Sequence, residues 1–196
     1  MKIRDTYFYK IVKPLVIFII RVFFHPEVVG TENIPKKGRV LFAGTHTEWL
    51  DPVMIVGVQK RQVHFLAKHT LFNFPIKWIV TGMGCVPVNR TIHDKSALHN
   101  MDAFLEKELA VGIFPEGTIN RSNEPLLPFK IGAVKAAHDT NTPIIPFVIT
   151  GKYKIFQRRG LRIEFLKPIT IGEDLEKENE RLRNMIMKRK EEVTKK

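Results

Sequence analysis

From Arg39 onward, short apolar runs alternate with longer amphipathic ones, the pattern of strands and helices alternating around a largely parallel sheet. The runs that read as strands are Val40 to Ala43, His64 to Ala67, Cys85 to Val88, Gly112 to Phe114, Ile144 to Ile149 and Arg162 to Phe165. Between them helices are predicted at Pro52 to Val58, near Phe74 to Val80, at Lys95 to Leu109 and at Ile131 to His138. In the third of these, Asp94 is a plausible N-cap, and Ala97, Leu98, Met101, Phe104 and Leu105 recur at three and four residue spacing, which marks a face packed on a core. The tail from Gly172 is charged throughout, with Leu175, Leu182, Met185, Ile186, Met187 and Val193 as its large apolar residues, and reads as a solvated or loosely docked helix. The expected fold class is α/β: a mostly parallel mixed sheet flanked by helices.

Ahead of this pattern, Tyr7 to Phe24 is the most apolar stretch, but Lys10, Lys13 and Arg21 interrupt it. A spanning helix needs roughly 20 mostly apolar residues, so the segment is expected to lie on a bilayer rather than cross it, its apolar side chains in the acyl boundary and its cations among anionic headgroups. A secretory signal begins the same way, but no small-residue cleavage site follows Ile20. A helix packed on the protein's own core is the other reading, and the two suit different faces of one helix. The expected division is an N-terminal interfacial membrane element over 1–38 and an α/β body over 39–196, with no linker or repeat between.

At 196 residues the chain suits one domain with a substantial core. Its 32 Lys plus Arg against 20 Asp plus Glu give a net charge of +12, which calls for an anionic partner: nucleic acid, lipid headgroups or an acidic carrier protein. The single cysteine, Cys85, excludes an intrachain disulfide and a cysteine-based zinc site.

Four blocks carry candidate chemistry. Gly44-Thr45-His46-Thr47-Glu48-Trp49-Leu50-Asp51-Pro52 lies between the first strand of the body and its first helix, at the carboxyl edge of the sheet where catalytic side chains gather. His46 and Asp51 would stand about 140° apart on an ideal helix, yet in a turn closing onto a helix they can meet. A carboxylate on one imidazole nitrogen fixes the tautomer and frees the other to take a proton from an alcohol. Asp before Pro is equally a helix cap followed by an N1 proline. Ile113 to Thr118 ends an apolar strand in Pro115-Glu116-Gly117, where exposed N–H groups suit a phosphate or an oxyanion. Gly84 to Arg90 ends in an arginine able to grip a phosphate bidentately. Ile144 to Ile149 is a buried strand whose Pro146 predicts an irregular or edge position.

In that order the blocks resemble those of the glycerolipid acyltransferase family that includes 1-acyl-glycerol-3-phosphate acyltransferases. His46 to Asp51 matches the family's His-x4-Asp motif, Gly84 to Arg90 its arginine-ended block, Phe114 to Thr118 its Phe-Pro-Glu-Gly-Thr block and Ile145 to Ile149 its proline-containing block. The chain departs from the family at Thr45, where Asn is usual, at Glu48, where Ser is frequent, and at Pro87. The resemblance implies an α/β fold with a membrane-associating N-terminal helical element. It also implies transfer of an acyl group from acyl-CoA or acyl-carrier protein to a lysophospholipid hydroxyl, with His46 as general base and Asp51 as its orienting partner. Arg90, Glu116, Gly117 and Thr118 are then expected at the acceptor, with Lys68 as a further cation for phosphate or oxyanion.

Neither cofactor nor metal is expected: His64 and His69 have no nearby acid or thiol to complete a ligand set. Phe72, Phe74, Trp78 and Ile79 are candidates to line an acyl groove, or simply core. Cys85 is expected to pack rather than react. A noncatalytic binder of anionic membrane or nucleic acid leaves the His-Asp and Phe-Pro-Glu-Gly-Thr blocks without a role, so no nucleic-acid partner is expected. A lipase-like hydrolase needs a Gly-x-Ser-x-Gly elbow that the chain lacks. The expected location is peripheral, on the cytoplasmic face of the cell membrane.

Overall fold

The structure, a computed structural model, describes residues 6–73, 77–88, 95–156 and 160–195. Seven strands form one sheet: β1 (Glu27–Val29), β2 (Val40–Gly44), β3 (Val63–Lys68), β4 (Val86–Val88), β5 (Ala110–Ile113), β6 (Ile144–Thr150) and β7 (Arg162–Phe165). Their order is β1-β7-β6-β2-β5-β3-β4. Every pairing is parallel except β6 with β7, so the sheet is the mostly parallel mixed one that the alternation predicts.

Both faces are covered, which is why the central strands are apolar runs rather than alternating ones. On one face Val40, Phe42, Phe65, Ile145 and Phe147 meet α2 (Asp51–Val58). On the other, Leu41, Ala43, Val111, Ile144 and Val148 meet α4 (Lys95–Glu106), α5 (Gly132–Asp139) and α6 (Leu175–Thr194). A short helix, α3 (Lys77–Gly82), lies between β3 and β4 in the chain. The periodic face of α4 packs as its spacing predicts, with Met101, Phe104 and Leu105 buried; Asp94 falls outside the described residues.

Several expectations change. The tail is firmly docked, because Leu182 and Ile186, one helical turn apart, are fully buried in the second core. Two apolar residues at that spacing suffice to anchor a helix whose other faces are charged. The strand placed at Gly112 to Phe114 runs over Ala110–Ile113, so Phe114 begins the following turn. β6 is interior rather than an edge, and the irregularity at Pro146 is local. β7 pairing ends at Phe147 with Phe165, Leu166 donates its N–H to the Pro146 carbonyl, and pairing resumes at an Ile144 to Ile169 bridge. The missing proline N–H thus faces a gap in the ladder.

Residues 6–38 join this body. α1 (Thr6–Ile19) continues as a wide turn over Ile20–Phe24, and β1 then pairs with β7. Ile20 lies fully buried against Gly57, where an added Cβ would come within 2.9 Å of it, so glycine is what lets the Ile20–Phe24 turn approach α2. Lys13 turns inward, donating to the carbonyls of Lys60 and Arg61 at 2.7 and 2.8 Å, and is not one of the outward cations. The outer side of this helical segment leaves Ile11, Leu15, Phe18 and Val22 exposed. Among the described residues no helix is long and apolar enough to cross a membrane.

Candidate active site

The carboxyl ends of β2, β5, β3 and β6 converge, and the loops leaving them bring together residues far apart in the chain. His46 leaves β2 and Asp51 opens α2; His46 Nδ1 lies 3.0 Å from Asp51 Oδ2. Asp51 is fully buried, and a lone buried carboxylate would cost several kcal/mol. Here it is compensated: Oδ2 also accepts from the N–H groups of Thr47 and Glu48 at 2.6 and 2.9 Å, and Oδ1 accepts from the hydroxyls of Thr47 and Tyr153 at 3.1 and 2.7 Å. These donors precede the helix or lie across from it, and α2 has no side-chain cap. Asp51 therefore serves the His46 loop and not the helix end. As all its partners donate, the neutral imidazole carries its proton on Nδ1, leaving the Nε2 lone pair free.

The ring is fixed in a second direction by Phe114, stacked at a centroid distance of 3.9 Å and 14° between planes. Behind it Glu116, 5% exposed, accepts the His46 N–H on Oε1 and the Leu127 N–H on Oε2, each at 2.9 Å. Gly117, at φ +72°, makes the turn that brings this carboxylate back under β2.

In front of His46 opens a cavity of about 500 Å³. Its wall is apolar, built by Val53 and Val56 of α2, Phe65 of β3, Met83 and Phe114, while Lys68, Thr118 and Arg121 also line it. An apolar chamber with few polar groups beside a histidine suits a ligand with a long hydrocarbon part and an anionic part. Cys85 lines the wall, but burial pushes its thiol up to about 11, so it stays protonated and unreactive near neutrality. His64 is also accounted for structurally. Its Nδ1 lies 2.8 Å from the Gly84 carbonyl, its ring packs on Phe104, and burial, partly offset by that hydrogen bond, lowers its pKa and keeps it neutral. Among the described residues no three His, Cys, Asp or Glu side chains gather around a metal-sized site.

The model of the Acyltransferase family matches residues 25–150. The chain belongs to that family. It is 34% identical over 132 residues to a 1-acyl-sn-glycerol-3-phosphate acyltransferase of Borreliella burgdorferi, a match covering 66% of this chain but only 52% of that protein. A Bacillus subtilis protein of the same name is 33% identical over 150 residues, 73% of each. The fold is that of the 1-acyl-sn-glycerophosphate (LPA) acyltransferase PlsC of Thermotoga maritima, whose crystal structure superposes with a TM-score of 0.75 at 23% identity, over 96% of this chain and 79% of that one.

Within this acyltransferase framework, the site residues expected from the sequence separate. His46 and Asp51 meet as expected. Lys68 and Thr118 line the cavity. Glu116 and Gly117 are not among the lining residues, and both Glu116 oxygens accept from backbone N–H groups, so its carboxylate ties two loops together. Arg90 lies outside the described residues, as do Phe74 and the side chains of Trp78 and Ile79. Of the candidate groove residues, Phe72 is not in the wall, which takes Leu71 and Val80 from neighbouring positions.

The departures at Thr45 and Glu48 leave the histidine pair intact. Thr45 stitches β2 to β6, its hydroxyl accepting from Ile149 N–H at 2.8 Å, and Glu48 contributes through its backbone. Tyr153 and Arg121 went unseen in the sequence. Tyr153 is 102 residues from Asp51, with no local motif to mark it. Arg121 follows the Phe-Pro-Glu-Gly-Thr block by three residues, and that proximity was the available signal.

Proposed function

We propose that this chain transfers a fatty acyl group from an acyl thioester, acyl-CoA or acyl-carrier protein, to the free hydroxyl of 1-acyl-glycerol-3-phosphate, giving phosphatidic acid. The observation that carries the reading is the His46 to Asp51 contact of 3.0 Å at the wall of an apolar cavity that Lys68 and Arg121 also line. Nε2 of His46 takes the proton of the acceptor hydroxyl as its oxygen attacks the thioester carbonyl. The tetrahedral intermediate collapses by breaking the carbon–sulfur bond, and the imidazolium protonates the departing thiolate. Asp51 stays ionised and supports the imidazolium. No acyl-enzyme forms, in keeping with the protonated thiol of Cys85. The hydrocarbon of a substrate occupies the apolar wall, and Lys68 and Arg121, with Arg90 as a further cation, attract its phosphate.

The acceptor and product are lipids, and the enzyme works from the surface that holds them, peripheral on the cytoplasmic face of the cell membrane with the exposed side of α1 in the interface. The test is an assay of the full chain offering glycerol-3-phosphate, 1-acyl-glycerol-3-phosphate and other lysophospholipids with each thioester. Acylation of 1-acyl-glycerol-3-phosphate is expected; acylation of glycerol-3-phosphate alone would refute the acceptor.

A further inference from the structure

The turn after β6 carries side chains of opposite character two and three residues apart. Tyr153 points inward: its hydroxyl donates to Asp51 Oδ1 at 2.7 Å, and its ring meets Phe24 edge-on at 5.7 Å. Ile155 and Phe156 point outward, 62% and 69% exposed. Phe156 has a φ of +62°, a left-handed conformation that bulky residues avoid. It is held there by donating its N–H to the Phe23 carbonyl at 2.7 Å, with the two rings 5.2 Å apart. That contact accounts for where the turn is held, but not for a phenyl ring left mostly exposed on a disfavoured backbone.

The contact with Phe23 joins this tip to the helical segment whose exposed apolar residues were described above, making one strip. Exposed Lys152 and Lys154 alternate with Tyr153 and Ile155, and exposed Arg21 flanks the helical part. An apolar strip edged by cations on a chain of net charge +12 fits an anionic bilayer surface, where aromatic and aliphatic tips enter the acyl boundary and lysines meet headgroups. A second copy of the chain would bring like charge against like.

We propose that the 152–156 turn is a second lipid-contact element beside α1, seated in an anionic bilayer, and that Tyr153 on the same turn is a positioning residue for Asp51. The lipid contact and the hydroxyl that holds the Asp51 carboxylate thus share one short piece of backbone. The role of Tyr153 rests on the acyl-transfer reading; the lipid contact does not, and is measured without turnover.

The test compares the full-length wild type with the double variant Ile155→Ser, Phe156→Ser and with Tyr153→Phe. Each is sedimented with vesicles of phosphatidylcholine alone or mixed with phosphatidylglycerol. The double variant is expected to bind the phosphatidylglycerol vesicles about tenfold more weakly. Ile155→Ser alone, which keeps the Phe23 to Phe156 contact, should show a smaller loss in the same direction and serves if the double variant fails to fold. Wild-type vesicle binding by both overturns the lipid contact, and so does a dimer that dissociates on substitution while vesicle binding is retained. Tyr153→Phe is expected to bind vesicles as wild type and to lose about tenfold in kcat with KM for both substrates unchanged. An unchanged kcat, or a loss confined to KM, overturns the positioning role.

Discussion

Two buried carboxylates flank the loop that carries His46, and they hold it at different points. Asp51 reaches the imidazole at 3.0 Å, whereas Glu116 reaches the backbone N–H of the same residue at 2.9 Å. Asp51 shares its charge with two hydroxyls and two amides of its own neighbourhood; Glu116 spends its other oxygen on Leu127, tying the β5 turn to the β2 loop. A carboxylate that touches the reacting ring sets that ring's tautomer and charge, while one that touches the amide sets only where the ring stands. Sequence shows both as acids in short motifs and cannot tell them apart.

Substitution separates the two roles. Asp51→Asn should lower kcat by about 10³ to 10⁴, because an amide at that position favours the wrong tautomer and cannot support the imidazolium; steady-state kinetics measures it. Glu116→Gln should act first on stability, costing about 2 kcal/mol for the lost charge-assisted bonds and roughly 5 °C in Tm by calorimetry. Its kcat should fall about tenfold as the ring loses its placement. If Glu116→Gln matched Asp51→Asn in kcat and left Tm unchanged, Glu116 would belong with the substrate and the contrast would collapse.

Smaller effects probe the cavity in front of the pair. Val56→Phe fills part of the apolar wall and should disfavour long acyl donors over short ones by about tenfold, read from kcat/KM across a donor series. The faintest signal is that of Cys85. Its raised pKa, about 11, means that the thiolate fraction grows as pH rises toward that value. Alkylation at pH 8 should therefore be about 100-fold slower than for a free cysteine and speed up about tenfold per pH unit to about pH 11.

Most of the fold was legible because its central strands are continuous apolar runs bounded by turns, and α4 declares its buried face by spacing. β1 was not: three residues, Glu27 and Val28 exposed and Val29 half-buried, give no periodicity, and its place depends on β7 more than 130 residues later. Nor was the docking of α6, where Leu182 and Ile186 are outnumbered by charges that only the folded context shows to be on the outside. In the site, the His46 and Asp51 pair was legible as a motif, but its alternative as a helix cap was dismissed only by seeing which N–H groups the carboxylate accepts. The cavity wall was the least legible part, since Val53, Val56, Phe65 and Met83 look like any core residues until the space between them is seen.

The central claim is that His46 is the base of an acyl transfer. Its most direct test is the rate of transfer from an acyl thioester to 1-acyl-glycerol-3-phosphate by His46→Ala, with Tm and vesicle binding measured on the same sample. A loss of about 10³-fold or more, with folding and vesicle binding retained, is the predicted result. Transfer at the wild-type rate would contradict it.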